Sequence, residues 1–528
     1  MTAGSVGIVG GGISGLSVAY SLIKKGFGGA ITVYEATETL GGNADTAEVL
    51  LGTDFRGPAP QPFQRLADLG VNDVNLNAYR LLSAAMLDIG YCAPGFPQDG
   101  KLRPLEDSIC YFTPDGRETW TNDAYLLGTP EQGPARRHAG VFDLRFSLQS
   151  PAHQDLCAAE DLFMAKAAEE FAPGQTEQPW WRLSTRRYVE SFRARHLSGP
   201  SPLFRPELLD QVVRLFLMPR IAAMYFAADT GPEHMPFRGV MNYYRLQEGY
   251  GAGQDGKAAR PDRRYFTKGS QDWIDALGHW LQERGVTIRH GFQATVTGTT
   301  ANGRPAVQIA PVGCSGPVDT VDTVVMANHA DHALSAFRHG TDPLLSEEMA
   351  ETLGKIQHSV SRAVAHTWTG VLPANVNAWR AYNVMIREGI GLKPYQMTYV
   401  QNRHRNDALN PGYDLFGLPI YFVTLNPQVP IPDANVLRLP PKHAEDRRLR
   451  QAGYGGPMAA DDPDADKAVA WFRHTVMTDT LLDIQDGLDK HQGMAGNRVY
   501  FAGCWTNGAG LHEQCFEQAD KVTTALLR

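Results

Sequence analysis

The chain has 528 residues, 43% hydrophobic and 20% charged, with a formal net charge of −8. That length is several times a usual domain of ~100–150 residues, so two or three domains, or one threaded through another, are expected. The negative charge, with only short arginine clusters among acids (Arg136–Arg137, Arg186–Arg187, Arg263–Arg264), argues against a nucleic-acid or anionic-lipid partner.

In chain order, Val6-Gly7-Ile8-Val9 reads as a strand buried on both faces. A glycine turn, Gly10 to Gly15, follows, and Leu16 to Lys25 then carries apolar residues at helical spacing up to a stop at Gly26. Ala30 to Tyr34 is a second strand. From about Ile109 to Gln247 the texture changes to aromatics and methionines at mostly helical spacing, including Met218, Met224, Tyr225, Phe226 and Tyr244. Loops are signalled at Tyr250–Arg264 and Pro440–Asp466. Asp272 to Arg284 is an amphipathic helix, with Val286-Thr287-Ile288, Thr295-Val296-Thr297 and Val321 to Ala327 as strands after it. About Gly354 to Leu439 is more strand-like, and the chain closes on a strand (Val499–Ala502), a glycine-broken turn (Gly503–Gly510) and a helix (Glu513–Leu527). No run approaches the ~20 apolar residues of a spanning helix. No leader pattern opens the chain, so a cytoplasmic location is expected. The scattered cysteines (Cys92, Cys110, Cys157, Cys314, Cys504, Cys515) give neither a disulfide framework nor zinc spacing, and no metal is expected.

The glycine turn has the context its chemistry requires: Gly10, Gly12 and Gly15, with Ile13 and Ser14 between them, follow a buried strand and open a helix. The first glycine allows the tight turn, the second lets a pyrophosphate approach backbone, and the third lets helix pack on strand. The helix N-terminus then offers free N–H groups to the anion. Glu35 ends the second strand, where a carboxylate accepts from ribose hydroxyls and repels an added 2′-phosphate. Ala36 and then Gly41-Gly42-Asn43 follow.

A Rossmann fingerprint, a ribose acid and a double glycine resemble the opening of the amine oxidase and phytoene desaturase-like FAD enzymes. Family members often carry Arg or His after the double glycine, where this chain has Asn43. Tyr500-Phe501-Ala502-Gly503-Cys504-Trp505, then Gly508, Gly510, Leu511, His512 and Glu513, resemble the family's closing flavin motif. Thr267-Lys268-Gly269-Ser270 and Asn328-His329-Ala330-Asp331-His332 resemble intermediate blocks of a bacterial NAD/FAD-binding subgroup. The resemblance implies FAD held by Gly10, Gly12, Ile13, Ser14, Gly15, Glu35, Ala36, Gly41, Gly42, Asn43, Val296, Gly503, Cys504, Gly510, Leu511 and His512. It also implies a closing helix whose N-terminus favours the reduced ring.

The family's cysteine tether lies upstream of this motif, so Cys504 is not expected to bind FAD covalently. His512 is the one catalytic candidate, as acid or base, with orientation of the helix entrance as its alternative role. Asp331 and His332 are expected near the adenosine half in a structural role. The Met218–Tyr244 stripe is either plain core or the lining of an apolar substrate tunnel.

The expected fold is α/β: a three-layer Rossmann-type FAD domain with an interleaved α+β substrate domain. Its pieces are expected at 1–108, 263–345 and 467–528 for the FAD domain, and at 109–262 (mainly helical) and 346–466 (strand-rich) for the substrate domain. The expected activity is hydride removal from a carbon of an amine or hydrophobic small molecule, with oxygen or another acceptor reoxidising the flavin. A redox-neutral double-bond isomerase of an unsaturated lipid and a non-catalytic FAD-binding partner protein are the alternatives. No second complete fingerprint is present, so no stable NAD(P) site is expected.

Overall fold

Short runs of β-branched residues with small residues between them build the central layer, because strands covered on both faces need apolar side chains on both. The computed structural model describes residues 4–54, 61–93, 100–114, 118–121, 124–127, 151–172, 174–224, 231–247, 261–312, 318–338, 342–386, 395–407, 420–440 and 466–528. The elements that position the site are, in chain order, β1 (Ser5–Val9), α1 (Ile13–Lys24), β2 (Ala30–Tyr34) and α2 (Arg80–Asp88). Next come α3 (Ser270–Glu283), β3 (Thr287–Arg289), β4 (Thr323–Met326) and α4 (Ala330–Ala336). The set closes with β5 (His358–His366), β6 (Val469–Thr475), β7 (Val499–Phe501) and α5 (His512–Leu526).

Strands from the start, middle and end of the chain form one parallel sheet in the order β3-β2-β1-β4-β7. On one face Val6, Ile8 and Val325 pack with Leu16 and Val18 of α1, Trp273 and Leu277 of α3, and Phe516 and Ala519 of α5. On the other face Val9, Val324, Met326 and Phe501 pack with Val296, Val307, Ile309 and Val321. Those last four belong to a three-stranded antiparallel sheet, Ala294–Ala301, Arg304–Pro311 and Asp319–Val321. Helices, parallel sheet and antiparallel sheet are the three layers expected of the nucleotide-binding unit.

The second unit is an eight-stranded sheet, ordered β6, β5, Phe422–Leu425, Tyr395–Val400, Tyr382–Ile386, Ile109–Phe112, Glu118–Thr121, Ala124–Leu127. One expected boundary shifts, and the mainly helical 109–262 piece opens on strands. Ile109–Phe112, Glu118–Thr121 and Ala124–Leu127 are strand because Ile109, Tyr111 and Trp120 suit a pleated, half-buried surface. The strand-rich segment runs past 466, because β6 pairs antiparallel with β5 across seven residues. The helices of 151–247 cover this sheet through an aromatic core: Tyr188 stacks on Phe237 at 4.1 Å between centroids, and Trp120 meets Phe216 at 4.2 Å. Within the Met218–Tyr244 stripe, Ile221, Phe237, Val240, Met241 and Tyr244 are fully buried members of that core. Packing, rather than a tunnel, accounts for them; Tyr225 and Phe226 lie outside the described residues, as do most of the expected Tyr250–Arg264 and Pro440–Asp466 loops.

One polar contact ties the last helix to the second. The buried Glu513 carboxylate accepts from the N–H groups of Leu81 (2.8 Å) and Leu82 (2.9 Å), capping α2 from a residue more than four hundred positions away. Glu513→Ala strands those donors, and a stability loss of about 1–3 kcal/mol is expected from urea unfolding. Glu513→Gln, which keeps one acceptor oxygen, should lose less.

Candidate cofactor site

The turn after β1 is built around two backbone constraints. Gly10 has φ +114°, a conformation L side chains rarely adopt, and a Cβ there would lie 3.0 Å from the Ala327 carbonyl after β4. A Cβ on Gly15 would fall 1.9 Å from the Gly10 carbonyl oxygen, so only glycine lets α1 start against the strand. The second glycine turn docks on the first: Gly41 N–H donates to the Gly11 carbonyl at 3.0 Å, and Gly12 pairs with Gly41.

Among the described residues, Ser184, Ser346 and Thr478 cap their own helices by accepting a backbone N–H, whereas α1 has no side-chain cap. Its first turn is nevertheless buried at Ile13, Ser14 and Gly15. A buried helix start without a cap leaves N–H donors that suit an anion. The Glu35 carboxylate stands beside this turn. Its Oε2 accepts from Gly11 N–H at 2.8 Å, and its Oε1 accepts from the backbone N–H and hydroxyl of Thr37, both at 2.8 Å. Oε2 keeps acceptor capacity for a sugar hydroxyl. Ala36 is exposed just beyond.

The closing motif folds onto the same edge of the sheet. Ser14 donates to the Cys515 sulfur at 3.2 Å, and the Ser17 hydroxyl to the Cys515 carbonyl at 3.3 Å, so the starts of α1 and α5 lie side by side. A Cβ on Gly503 would meet the Asn328 carbonyl oxygen at 2.1 Å, which sets the closing turn directly against the turn after β4. Gly510 packs on Cys504, and the Gln514 Oε1 accepts from Ala509 N–H (3.0 Å) and Leu511 N–H (3.1 Å) at the α5 entrance. His512 is buried there, and burial lowers its imidazole to about 4, so the ring is neutral near pH 7. A neutral ring can accept a proton, but it is not the acid a charged imidazolium would be.

Several buried polar atoms around this edge have no hydrogen-bond partner among the described residues: Asn43 Oδ1, Asn328 Oδ1, Trp505 Nε1 and His512 Nδ1. Buried polar groups are normally paired. Their gathering where the two glycine turns and the closing motif meet fits a polar cofactor. Asn43 is also held from the other unit, donating through Nδ2 to the Arg473 carbonyl on β6 at 3.4 Å. Most of the positions predicted from the sequence are thus brought together. Val296 lies instead in the antiparallel layer, fully buried, with its carbonyl accepting Arg338 N–H at 2.9 Å.

Asp331 and His332 are not on the adenosine side. Their strand, β4, flanks β1 on the side opposite β2 and Glu35, next to β7 and the closing motif. There they join residues that sequence reasoning did not find. Asp331 Oδ2 pairs with Arg473 at 2.6 Å, and Arg473 also meets His332 Nε2 at 3.2 Å. The His329 ring stacks between His332 (5.6 Å) and His358 (5.3 Å). Burial, and then the neighbouring imidazoles His358 and His332, push His329 down to about 3; burial also lowers His332 and His358. His358 and Arg473 carry no local motif; only the tertiary pairing of β5 with β6 delivers them here. The His329-Ala330-Asp331 spacing was the one available signal.

The model of the NAD(P)-binding Rossmann-like domain family matches residues 8–74. No curated protein matches the chain. Among solved structures, the chain is similar to a protein assigned as a protoporphyrinogen oxidase from Exiguobacterium sp. 255-15, with 15% identity, TM-score 0.52, and 100% of this chain and 99% of that one covered. It is similar to a putrescine oxidase bound to putrescine, with 14% identity, TM-score 0.53 and 99% of each chain covered. A cyclohexylamine oxidase from Brevibacterium oxydans IH-35A is similar at 12% identity, TM-score 0.54, with 99% and 98% covered. The chain therefore has the two-unit fold of these oxidases over its whole length, in keeping with the resemblance its motifs carry. Among the described residues no helix is long and apolar enough to cross a membrane.

Proposed function

We propose that this chain is an FAD-dependent oxidoreductase of the amine oxidase-like kind, removing hydride from a carbon next to an amine nitrogen in a small molecule. The observation that carries this reading is the convergence on one sheet edge of an uncapped, buried α1 start, the fixed Glu35 carboxylate and the closing turn. Gly10, Gly12, Ser14, Gly15 and Glu35 would hold the adenosine and pyrophosphate part, and Gly503, Cys504, Gly510 and His512 the flavin part, without a covalent tether. FAD bound there supplies a two-electron acceptor, with oxygen or another oxidant restoring it. The chain's own work is to orient the reactants and to exclude water.

The amine class is preferred over an apolar lipid for two reasons. Putrescine oxidase and cyclohexylamine oxidase share the fold, and Ile221, Phe237, Val240, Met241 and Tyr244 of the aromatic stripe are packed as core. The test is an anaerobic visible spectrum of the purified protein while diamines, cyclic amines and unsaturated fatty acids are added in turn. Bleaching of flavin bands by an amine, with recovery on admitting air, is the expected result. No flavin bands even after reconstitution with FAD would overturn the reading. Lipid conversion that leaves the flavin oxidised without any acceptor would replace it with an isomerase.

A further inference from the structure

We propose that His329, Asp331 and His358 form a binding site for a divalent first-row transition ion, such as Fe²⁺, Co²⁺ or Zn²⁺. The inference rests on its own side chains and does not depend on flavin binding. One ligand atom from each of the three residues lies within 4.8 Å of the other two. Two imidazole nitrogens and one carboxylate oxygen are a donor set that suits these ions and leaves coordination positions open. Coordination at ~2.0–2.2 Å would draw the three atoms closer by side-chain rotation, with no change of fold.

The state of these atoms points the same way. His329 Nδ1 and Asp331 Oδ1 are both buried and have no hydrogen-bond partner among the described residues. Polar atoms of a folded interior are normally paired, so two unpaired ligand atoms on neighbouring residues suit a bound ion. Asp331 is also oriented as a ligand would be. Arg473 engages its Oδ2 at 2.6 Å, leaving Oδ1 on the side of His358, whose Nδ1 is 3.9 Å away. A guanidinium behind the carboxylate fills the outer-shell role that fixes a ligand's direction. His332 meets Arg473 at 3.2 Å, so it sits behind the site and is not counted as a ligand.

The ligands come from both units: His329 and Asp331 from the start of α4, and His358 from the first residue of β5. A bound ion would therefore clip the parallel sheet's unit to the eight-stranded sheet, and ion binding should raise thermal stability by mass action. The experiment uses the full-length, tag-free protein as purified, treated with chelator and then titrated with Co²⁺ and Zn²⁺ by calorimetry. One ion per chain and a higher melting temperature with Zn²⁺ are expected. His358→Gln and His329→Gln should each weaken binding about tenfold or more, with circular dichroism and metal-free melting showing that each variant is folded. Absence of stoichiometric binding in the parent protein, or affinity unchanged in both folded variants, overturns the site. If one variant does not fold, the other and the parent protein decide it.

Discussion

Gly15→Ala is expected to yield a protein that comes through desalting without FAD. The added methyl carbon would sit 1.9 Å from the Gly10 carbonyl oxygen, and both partners are backbone, so no side chain can swing aside. Either α1 moves off β1 or the turn opens, and each displaces the N–H groups that face the pyrophosphate site. Overpacking of this kind costs ~1–3 kcal/mol or more, and ~3 kcal/mol corresponds to roughly a hundredfold loss of FAD affinity. The ratio of flavin to protein absorbance after desalting, followed by FAD titration of the apoprotein, measures it. FAD retention at the parent affinity would remove the fingerprint turn from the cofactor site.

The second large effect is expected from Asp68→Ala. The buried Asp68 carboxylate accepts from the Thr46 hydroxyl (2.6 Å), from Ser270 N–H at the start of α3 (2.9 Å) and from Arg405 (3.1 Å). Burial raises this carboxyl above its usual range, and Arg405 is the strongest group opposing that rise. The Arg405 side chain is itself 7% exposed. Removing one partner of a buried pair costs ~3–5 kcal/mol, because the other charge is left without compensation. Here the α3 entrance also loses an acceptor. Urea midpoints should fall accordingly, with Asp68→Asn intermediate because it keeps one acceptor oxygen. A midpoint within error of the parent would mean that Arg405 finds another partner.

What was legible in the sequence was local. Gly10 to Gly15, Glu35 and the closing glycines carry their chemistry in short spacings, because a turn, a helix start and an adjacent strand end are set by neighbours in the chain. The structure accordingly finds these residues at one sheet edge. What was not legible was set by distant pairing. Nothing near Val469 announces that it joins β5 rather than the parallel sheet, and nothing near His358 announces that it faces Asp331. The Ile109–Leu127 strands were missed because aromatic-rich segments fit helix and strand patterns alike over short lengths. Glu513 looked like part of a flavin motif, and its carboxylate is spent on capping α2.

The pairing of α1 with α5 also bears on how the protein is made. Besides the Ser14 and Ser17 contacts to Cys515, Ser21 bonds Thr523 at 2.8 Å, and Lys25 reaches the Asp520 carbonyl at 2.7 Å. Part of the α1 surface is therefore covered only by a helix about five hundred residues further along the chain. Contacts of such sequence separation slow folding and prolong exposure of sticky intermediates. A chain truncated just before α5 should therefore expose the α1 surface that α5 covers and aggregate rather than fold, a result that light scattering on refolding would read.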